Sequence, residues 1–260
     1  MKTILLSLTA WLTASSLPAA IQSKTIEYQQ GGTTLAGVLV WDDAMSGPRP
    51  GVLVAHQWLG ITAYEQHRAE LLARLGYTVF CADLYGRDTR PQDITQAGAL
   101  AGKYKADRAL LRQRVNAGLA ELKKSELVDS RRVAAIGYCF GGTAVIELAR
   151  SGADLRGVVS FHGGLDSPTP ADGKNIKCPL LICHGADDPF EKAEDLAAFE
   201  QELRDAKVDW RLIKYGGAVH SFTQPDPGFS NPGARYNEKA DKRSWEDMKM
   251  FFAEIFAKQP

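Results

Sequence analysis

Val133-Ala134-Ala135-Ile136-Gly137-Tyr138-Cys139-Phe140-Gly141-Gly142 decides how this chain is built. Residues 133–136 are consecutive apolar side chains with no polar residue among them, the pattern of a strand buried on both faces. From about residue 142 to 150 the apolar spacing becomes helical. A chain that leaves a buried strand and enters a helix within so few residues must turn sharply. Gly137 and Gly141 let backbone segments pass where a side chain would collide. Cys139 stands at the apex of that turn.

Outward from this unit the same alternation repeats. Residues 33–40 and 51–56 read as strands separated by the turn-rich 46–50, and 63–75 reads as a helix stopped by Gly76. A buried strand over 77–84 and a helix over 108–123 precede the central unit. After it come strands over 157–161, 180–184 and 210–215, an amphipathic segment over 192–207, and a closing helix over 240–256 that carries Trp245, Met248, Phe251, Phe252 and Ile255. Buried strands alternating with helices predict an α/β fold, with a mostly parallel central sheet and helices on both faces. Ligands of such sheets bind at the carboxyl ends of the strands. Two irregular stretches, 163–177 and 223–236, are rich in Pro, Gly, Asp and Asn, as binding loops and lids are. No repeat or linker divides the chain, so residues 24–260 read as one domain.

The chain has 260 residues, 45% apolar and 24% charged, enough for a sizeable core. Lys plus Arg number 31 and Asp plus Glu number 31, which leaves no net field for nucleic acid or an anionic membrane. The first residues, from Met1 and Lys2 through Leu12, give a basic start and an apolar run too short to span a bilayer. Small residues follow to Ala19 and Ala20. Residues 1–23 therefore read as an export signal, cut somewhere between 19 and 23, which places the protein in the periplasm or outside the cell. The competing reading is a buried N-terminal helix, which would need a polar face that this segment lacks. No later segment is long and apolar enough to cross a membrane. The four cysteines lie in apolar or Gly-flanked runs, as buried thiols do, and predict no structural disulfide. Cys178 and Cys183, five residues apart in a strand, point to opposite faces and cannot bridge each other.

Residues 137–141 match the pattern Gly-x-nucleophile-x-Gly, with Cys in the nucleophile position. The helix N-terminus beneath Cys139 favours a thiolate, and its free N–H groups can hold an oxyanion. The bland reading is a Gly-rich turn with a buried Cys, but the strand and helix on either side favour chemistry. A thiolate needs a base, and in this fold class the chain order is nucleophile, acid, histidine. Asp187 and Asp188 follow the strand at 180–184, and His220 follows the strand at 210–215 in Gly216-Gly217-Ala218-Val219-His220. Asp188 is the preferred acid, although either aspartate could simply form an Asx turn. His67 falls within a helix, and His162 and His184 precede glycines at strand ends, so they are weaker candidates. None of the five histidines shows a metal-ligand spacing, and no metal or other cofactor is expected.

Taken together, Ala55-His56-Gln57-Trp58-Leu59-Gly60, Asp83-Leu84-Tyr85-Gly86, the turn around Cys139 and His220-Ser221-Phe222 resemble the dienelactone hydrolase family of α/β-hydrolases. The resemblance runs from about residue 33 to 256. It implies Cys139 as nucleophile, His220 as general base and acid, and Asp188 as the residue that orients it. It also implies an oxyanion hole from the backbone N–H groups of Phe140 and Trp58. Two positions depart from the family pattern. Gln57 stands where a Glu commonly holds the resting thiol, which predicts that Cys139 rests instead as a thiolate paired with the His220 imidazolium. Gln224 stands where an arginine reads the carboxylate of dienelactone, which speaks against an anionic dienelactone as substrate. His56, Gln57, Tyr85, Phe222 and Gln224 are the expected pocket residues.

The expected activity is hydrolysis of a small ester or lactone. Two alternatives have a different character: an exported binding module with a dead site, and a thiol redox protein using Cys139. The oligomeric state is not legible from the chain.

Overall fold

The computed structural model describes residues 20–226 and 230–257, so nearly all of the expected export segment lies outside the described residues. Eight strands form one sheet: β1 (Ile21–Gln30), β2 (Thr33–Asp42), β3 (Arg49–Ala55), β4 (Thr78–Ala82), β5 (Val128–Tyr138), β6 (Gly157–Phe161), β7 (Leu180–Gly185) and β8 (Trp210–Tyr215). Their order is β1-β2-β4-β3-β5-β6-β7-β8. The first two are antiparallel additions at one edge, and the other six run parallel. The helices are α1 (Ala63–Arg74), α2 (Ile94–Ala106), α3 (Arg108–Lys124), α4 (Phe140–Arg150), α5 (Ala193–Asp205) and α6 (Glu238–Phe256).

The strand side chains alternate between two cores, as a period of two requires. Leu53, Phe80, Ala135, Val158, Leu180 and Ile182 face the layer of α2, α3, α4 and α5. Val52, Val54, Ala134, Ile136, Val159, Leu181 and Cys183 face α1 and α6. Both faces of the sheet are therefore covered, which is why the strands read as continuous apolar runs. The mostly parallel, doubly covered sheet is the one expected from the alternation, and it matches the α/β-hydrolase fold that the resemblance implied.

Two elements were not foreseen. β1 is largely exposed on an edge and carries mostly polar residues, so no hydrophobic period marks it. Its signal is the turn at Gly31 and Gly32, both at positive φ (53° and 76°), the pair of angles that closes a two-residue hairpin onto β2. α2 is diluted by Gly98 and Gly102, which weaken helix propensity. It nevertheless buries Ala97, Ala101 and Tyr104 on one stripe and is capped by the Asp93 side chain.

Behind the central turn, an ionic cluster fixes α4. Arg150 is fully buried, donating through Nε and Nη2 to Glu202 on α5 and through Nη1 to Glu147 on its own helix. Glu147 also receives Arg112 from α3 at 2.7 Å. Removing one member would leave a buried charge unpaired, at a cost of about 3–5 kcal/mol.

Candidate active site

Four loops converge at the carboxyl ends of β3, β5, β7 and β8, and each brings one of the residues singled out in the sequence. The β5 to α4 turn brings Cys139, whose backbone sits at φ 54°, ψ −117°. That strained conformation persists because its surroundings leave no alternative. A Cβ on Gly137 would lie 2.0 Å from the Gly141 carbonyl oxygen, and one on Gly141 would lie 2.1 Å from that of Ala55. The backbones of β3, β5 and α4 thus touch directly, and only glycine permits it.

The Cys139 N–H points back at β6 and is shared between the Phe161 carbonyl at 3.0 Å and His162 Nδ1 at 3.1 Å. In front, His220 Nε2 stands 3.0 Å from Cys139 Sγ, and His220 Nδ1 stands 2.8 Å from Asp188 Oδ2. The structure therefore brings Cys139, His220 and Asp188 into one hydrogen-bonded line. Asp187 is exposed and takes no part in it. Asp188 also accepts the Phe190 N–H through Oδ1 at 2.9 Å, so the Asx-turn reading holds at the same residue. One oxygen shapes the loop, and the other faces the imidazole.

Burial works against a charged thiol here, but the His220 imidazolium, the Phe140 N–H and Lys105 together bring the Cys139 pKa below its ordinary value. Burial likewise opposes the imidazolium, yet the Cys139 thiolate and Asp188 push the His220 pKa up to about 10. Each group therefore favours the charged form of the other. The other three cysteines, Cys81, Cys178 and Cys183, are free, buried and pushed up to about 12 or beyond by burial.

A cavity of about 640 Å³ opens in front of the sulfur. Trp58 and Phe140 line it together with Cys139, Asp188 and His220. His56, Gln57, Tyr85, Phe222 and Gln224, expected as pocket residues, do not line it: all five are buried behind the loops. His56 donates from Nδ1 to the Gln57 carbonyl at 2.6 Å and accepts the Leu84 N–H at Nε2, so both ring nitrogens are spent joining two loops. Gln57 turns its Oε1 to the Leu59 N–H. Tyr85 donates its hydroxyl to the Trp58 carbonyl at 3.0 Å and stacks on Phe140 at 5.4 Å between ring centres. Phe222 is core, edge-on to His162. All five are buried and support the loops from behind without lining the cavity.

Several contributors were not read from the sequence. α2 supplies Gly98, Ala101, Gly102 and Lys105 to the cavity wall, and the loop before α5 supplies Phe190, Glu191 and Lys192. The exposed Phe190 ring stands edge-on to His220 at 5.5 Å. His162, set aside as a strand-end residue, is fully buried and in the left-handed region at φ 41°. Its Nε2 faces Thr223 Oγ1 at 2.7 Å, and Thr223 in turn meets Tyr64 of α1 at 2.6 Å. Arg68 ties the Thr223 carbonyl to Asp241 of α6, both at 2.6 Å. The backbone of His220 is clamped on both sides, its N–H to Gly233 and its carbonyl to Arg235. The irregular 223–236 stretch, so far as it is described, thus anchors the histidine loop.

Among the described residues, no group of three or more His, Cys, Asp or Glu is arranged to hold a metal. No helix among them is long and apolar enough to cross a membrane.

Known proteins share this architecture. A dienelactone hydrolase-like promiscuous phosphotriesterase from metagenomic libraries is 41% identical, with a TM-score of 0.88 over 92% of this chain and 100% of its own. A dienelactone hydrolase from Anabaena variabilis, 21% identical, shares the fold at a TM-score of 0.67 over 90% of this chain and 98% of its own. An uncharacterized protein of Caenorhabditis elegans is 35% identical over 153 residues, 56% of this chain and 95% of its own. The model of the dienelactone hydrolase family matches residues 35–256, and on that match the chain belongs to the dienelactone hydrolase family of α/β-hydrolases.

Proposed function

We propose that this member of an ester and lactone hydrolase family cleaves small carboxylic esters or lactones, with Cys139 as nucleophile, His220 as proton carrier and Asp188 as its orienting acid. The observation that carries the reading is the 3.0 Å approach of His220 Nε2 to Cys139 Sγ, with Asp188 at 2.8 Å behind it. The thiolate attacks the carbonyl carbon, and the N–H groups of Phe140 and Trp58 receive the oxyanion. Protonated His220 then gives its proton to the departing alkoxide, leaving a thioester on Cys139 and a neutral imidazole. That imidazole takes a proton from water as the water attacks the thioester, and acid release restores the starting pair. Asp188 keeps Nδ1 protonated, so that Nε2 faces the sulfur throughout.

Turnover of p-nitrophenyl acetate by the wild type and none by Cys139→Ala tests the proposal. Turnover by neither, with a folded wild type, would favour a binding module without catalysis. The redox alternative has no resolving thiol at hand, because the three other cysteines are buried. Uncharged phosphotriesters are a second substrate class for the same assay, favoured by the 41% identity to a dienelactone hydrolase-like promiscuous phosphotriesterase.

Export to the periplasm or medium is proposed from the basic start and short apolar run of residues 1–23. The N-terminal sequence of the protein recovered from its native host tests this. A chain still starting at Met1 would overturn it.

A further inference from the structure

We propose that Glu191 is the specificity-determining residue of this cavity, its carboxylate selecting for cationic and against anionic substrates, with Lys105 as the opposing charge. The substrate class rests on the hydrolase reading above, whereas the charge selection itself does not. Glu191 leaves the β7 to α5 loop and is half-buried in the cavity wall that Cys139 faces. Both its oxygens are held by the Leu165 N–H, at 3.1 and 3.2 Å. The carboxylate is fixed in place without a cation, since among the described residues no ion pair is recorded for it or for Lys105.

The other wall charges largely cancel. Asp166 is paired with Arg108 at 2.5 Å, and Asp188 is engaged by His220. Asp195 from α5 and Lys192 beside Glu191 offset each other. Lys105 reaches in from α2: a Cβ on Gly164 would lie 3.3 Å from its Nζ and 3.4 Å from Asp166 Oδ1. With the Cys139 thiolate counted, the remaining wall charges sum to zero, so Glu191 decides whether the wall is neutral or carries one negative charge. Burial raises its pKa most, the Leu165 N–H resists, Asp166 and Asp195 add repulsion, and Lys105 offsets part of it, with a result of about 7. Below that pH Glu191 is neutral and the wall no longer repels an anion, which Lys105 can meet. Above it Glu191 is ionised and the preference moves toward cations.

The test reads the field at Cys139 without requiring turnover. Wild-type protein is labelled with two methanethiosulfonates of similar size, one bearing a trimethylammonium group and one a sulfonate, between pH 5.5 and 8.5. The thiolate attacks the thiosulfonate sulfur, a disulfide forms and methanesulfinate leaves. Because both reagents use the same thiolate, its ionised fraction cancels in the ratio of rates. The buried Cys81, Cys178 and Cys183 do not compete. The cationic-to-anionic ratio should rise about tenfold through pH 7 in the wild type. In Glu191→Gln, which keeps an acceptor for the Leu165 N–H, it should stay flat. Lys105→Met should slow the anionic reagent below pH 7. A flat wild-type ratio, or one that rises equally in Glu191→Gln, overturns the proposal. Failure of the hydrolase reading shows separately, as absent turnover of an uncharged ester with the labelling ratio intact.

Discussion

The nitrogen of His162 that faces the sheet accepts the backbone N–H of Cys139 at 3.1 Å, while the opposite ring nitrogen meets Thr223 at 2.7 Å. A second imidazole therefore stands behind the Cys139 sulfur, its ring centre 5.2 Å from that of His220. Since it accepts at Nδ1, it is neutral with its proton on Nε2, and burial first, then the charge on His220, hold its pKa well below the ordinary value.

His162 is a positioning residue, and its variants should separate by hydrogen-bonding capacity. His162→Leu removes the acceptor and should cost about 1–3 kcal/mol in urea unfolding, together with a fall in kcat. His162→Asn, whose side-chain oxygen can replace Nδ1, should recover much of both. Equal damage in the two variants would mean that ring volume, and not the bond to Cys139, is what matters.

Acidification should destabilise the fold. A histidine whose folded pKa is depressed contributes stability that is fully present above its unfolded pKa of about 6.5, and this is lost as pH falls below that value. His56, His162 and His184 are all shifted down by burial. The urea midpoint should therefore drop between pH 7.5 and 5.5, with a shallower slope in His162→Asn. Because the raised Glu191 carboxyl opposes this trend, the deciding comparison is between variants: a slope no shallower in His162→Asn than in the wild type would contradict the neutral form assigned to His162.

The Cys139 thiol should stay ionised on mild acidification. With Cys139 shifted down and His220 up to about 10, iodoacetamide should label Cys139 at pH 6 at least about tenfold faster than a free thiol. His220→Asn should abolish the excess. Labelling no faster than a free thiol would show that the pair does not rest charged.

The two neighbouring aspartates should differ sharply. Asp188→Asn should lower kcat by about a hundredfold or more, because the imidazole loses the partner that fixes its tautomer. Asp187→Asn, at an exposed side chain, should change kcat less than about twofold. Comparable losses would displace Asp188 from its assigned place.

Glycine substitutions offer a structural control. Gly141→Ala drives a methyl group into the Ala55 carbonyl and should cost about 3 kcal/mol or more, or prevent folding. Gly216→Ala meets nothing within 4 Å and has ordinary backbone angles, so thermal unfolding should shift little. Similar melting temperatures for the two variants would refute the close-approach argument for the turn.

How much of this was legible follows from how local each signal is. The turn at Cys139 announced itself because a buried strand, flanking glycines and a helix all lie within about twenty residues. The histidine and aspartate could be placed by chain order. By contrast, His162 carries no local mark: its partner atoms are the Cys139 backbone, 23 residues earlier, and Thr223, 61 residues later. His56, Gln57, Tyr85, Phe222 and Gln224 are expected in the pocket from the family resemblance and from nearness to site motifs, but neither says which way a side chain turns in this chain. α2 was missed because its glycines dilute the helical pattern, and with it went one wall of the cavity.

The sequence by itself determined the alternating architecture, the sharp turn and the identity of its apex, because strand and helix periods and glycine sterics act over a few residues. Only the tertiary structure decided which carboxylate meets the imidazole, which side chains face the cavity and what charge they present there. Those depend on loops from separate strands meeting across the sheet edge, and no local pattern encodes a distance between residues that far apart in the chain.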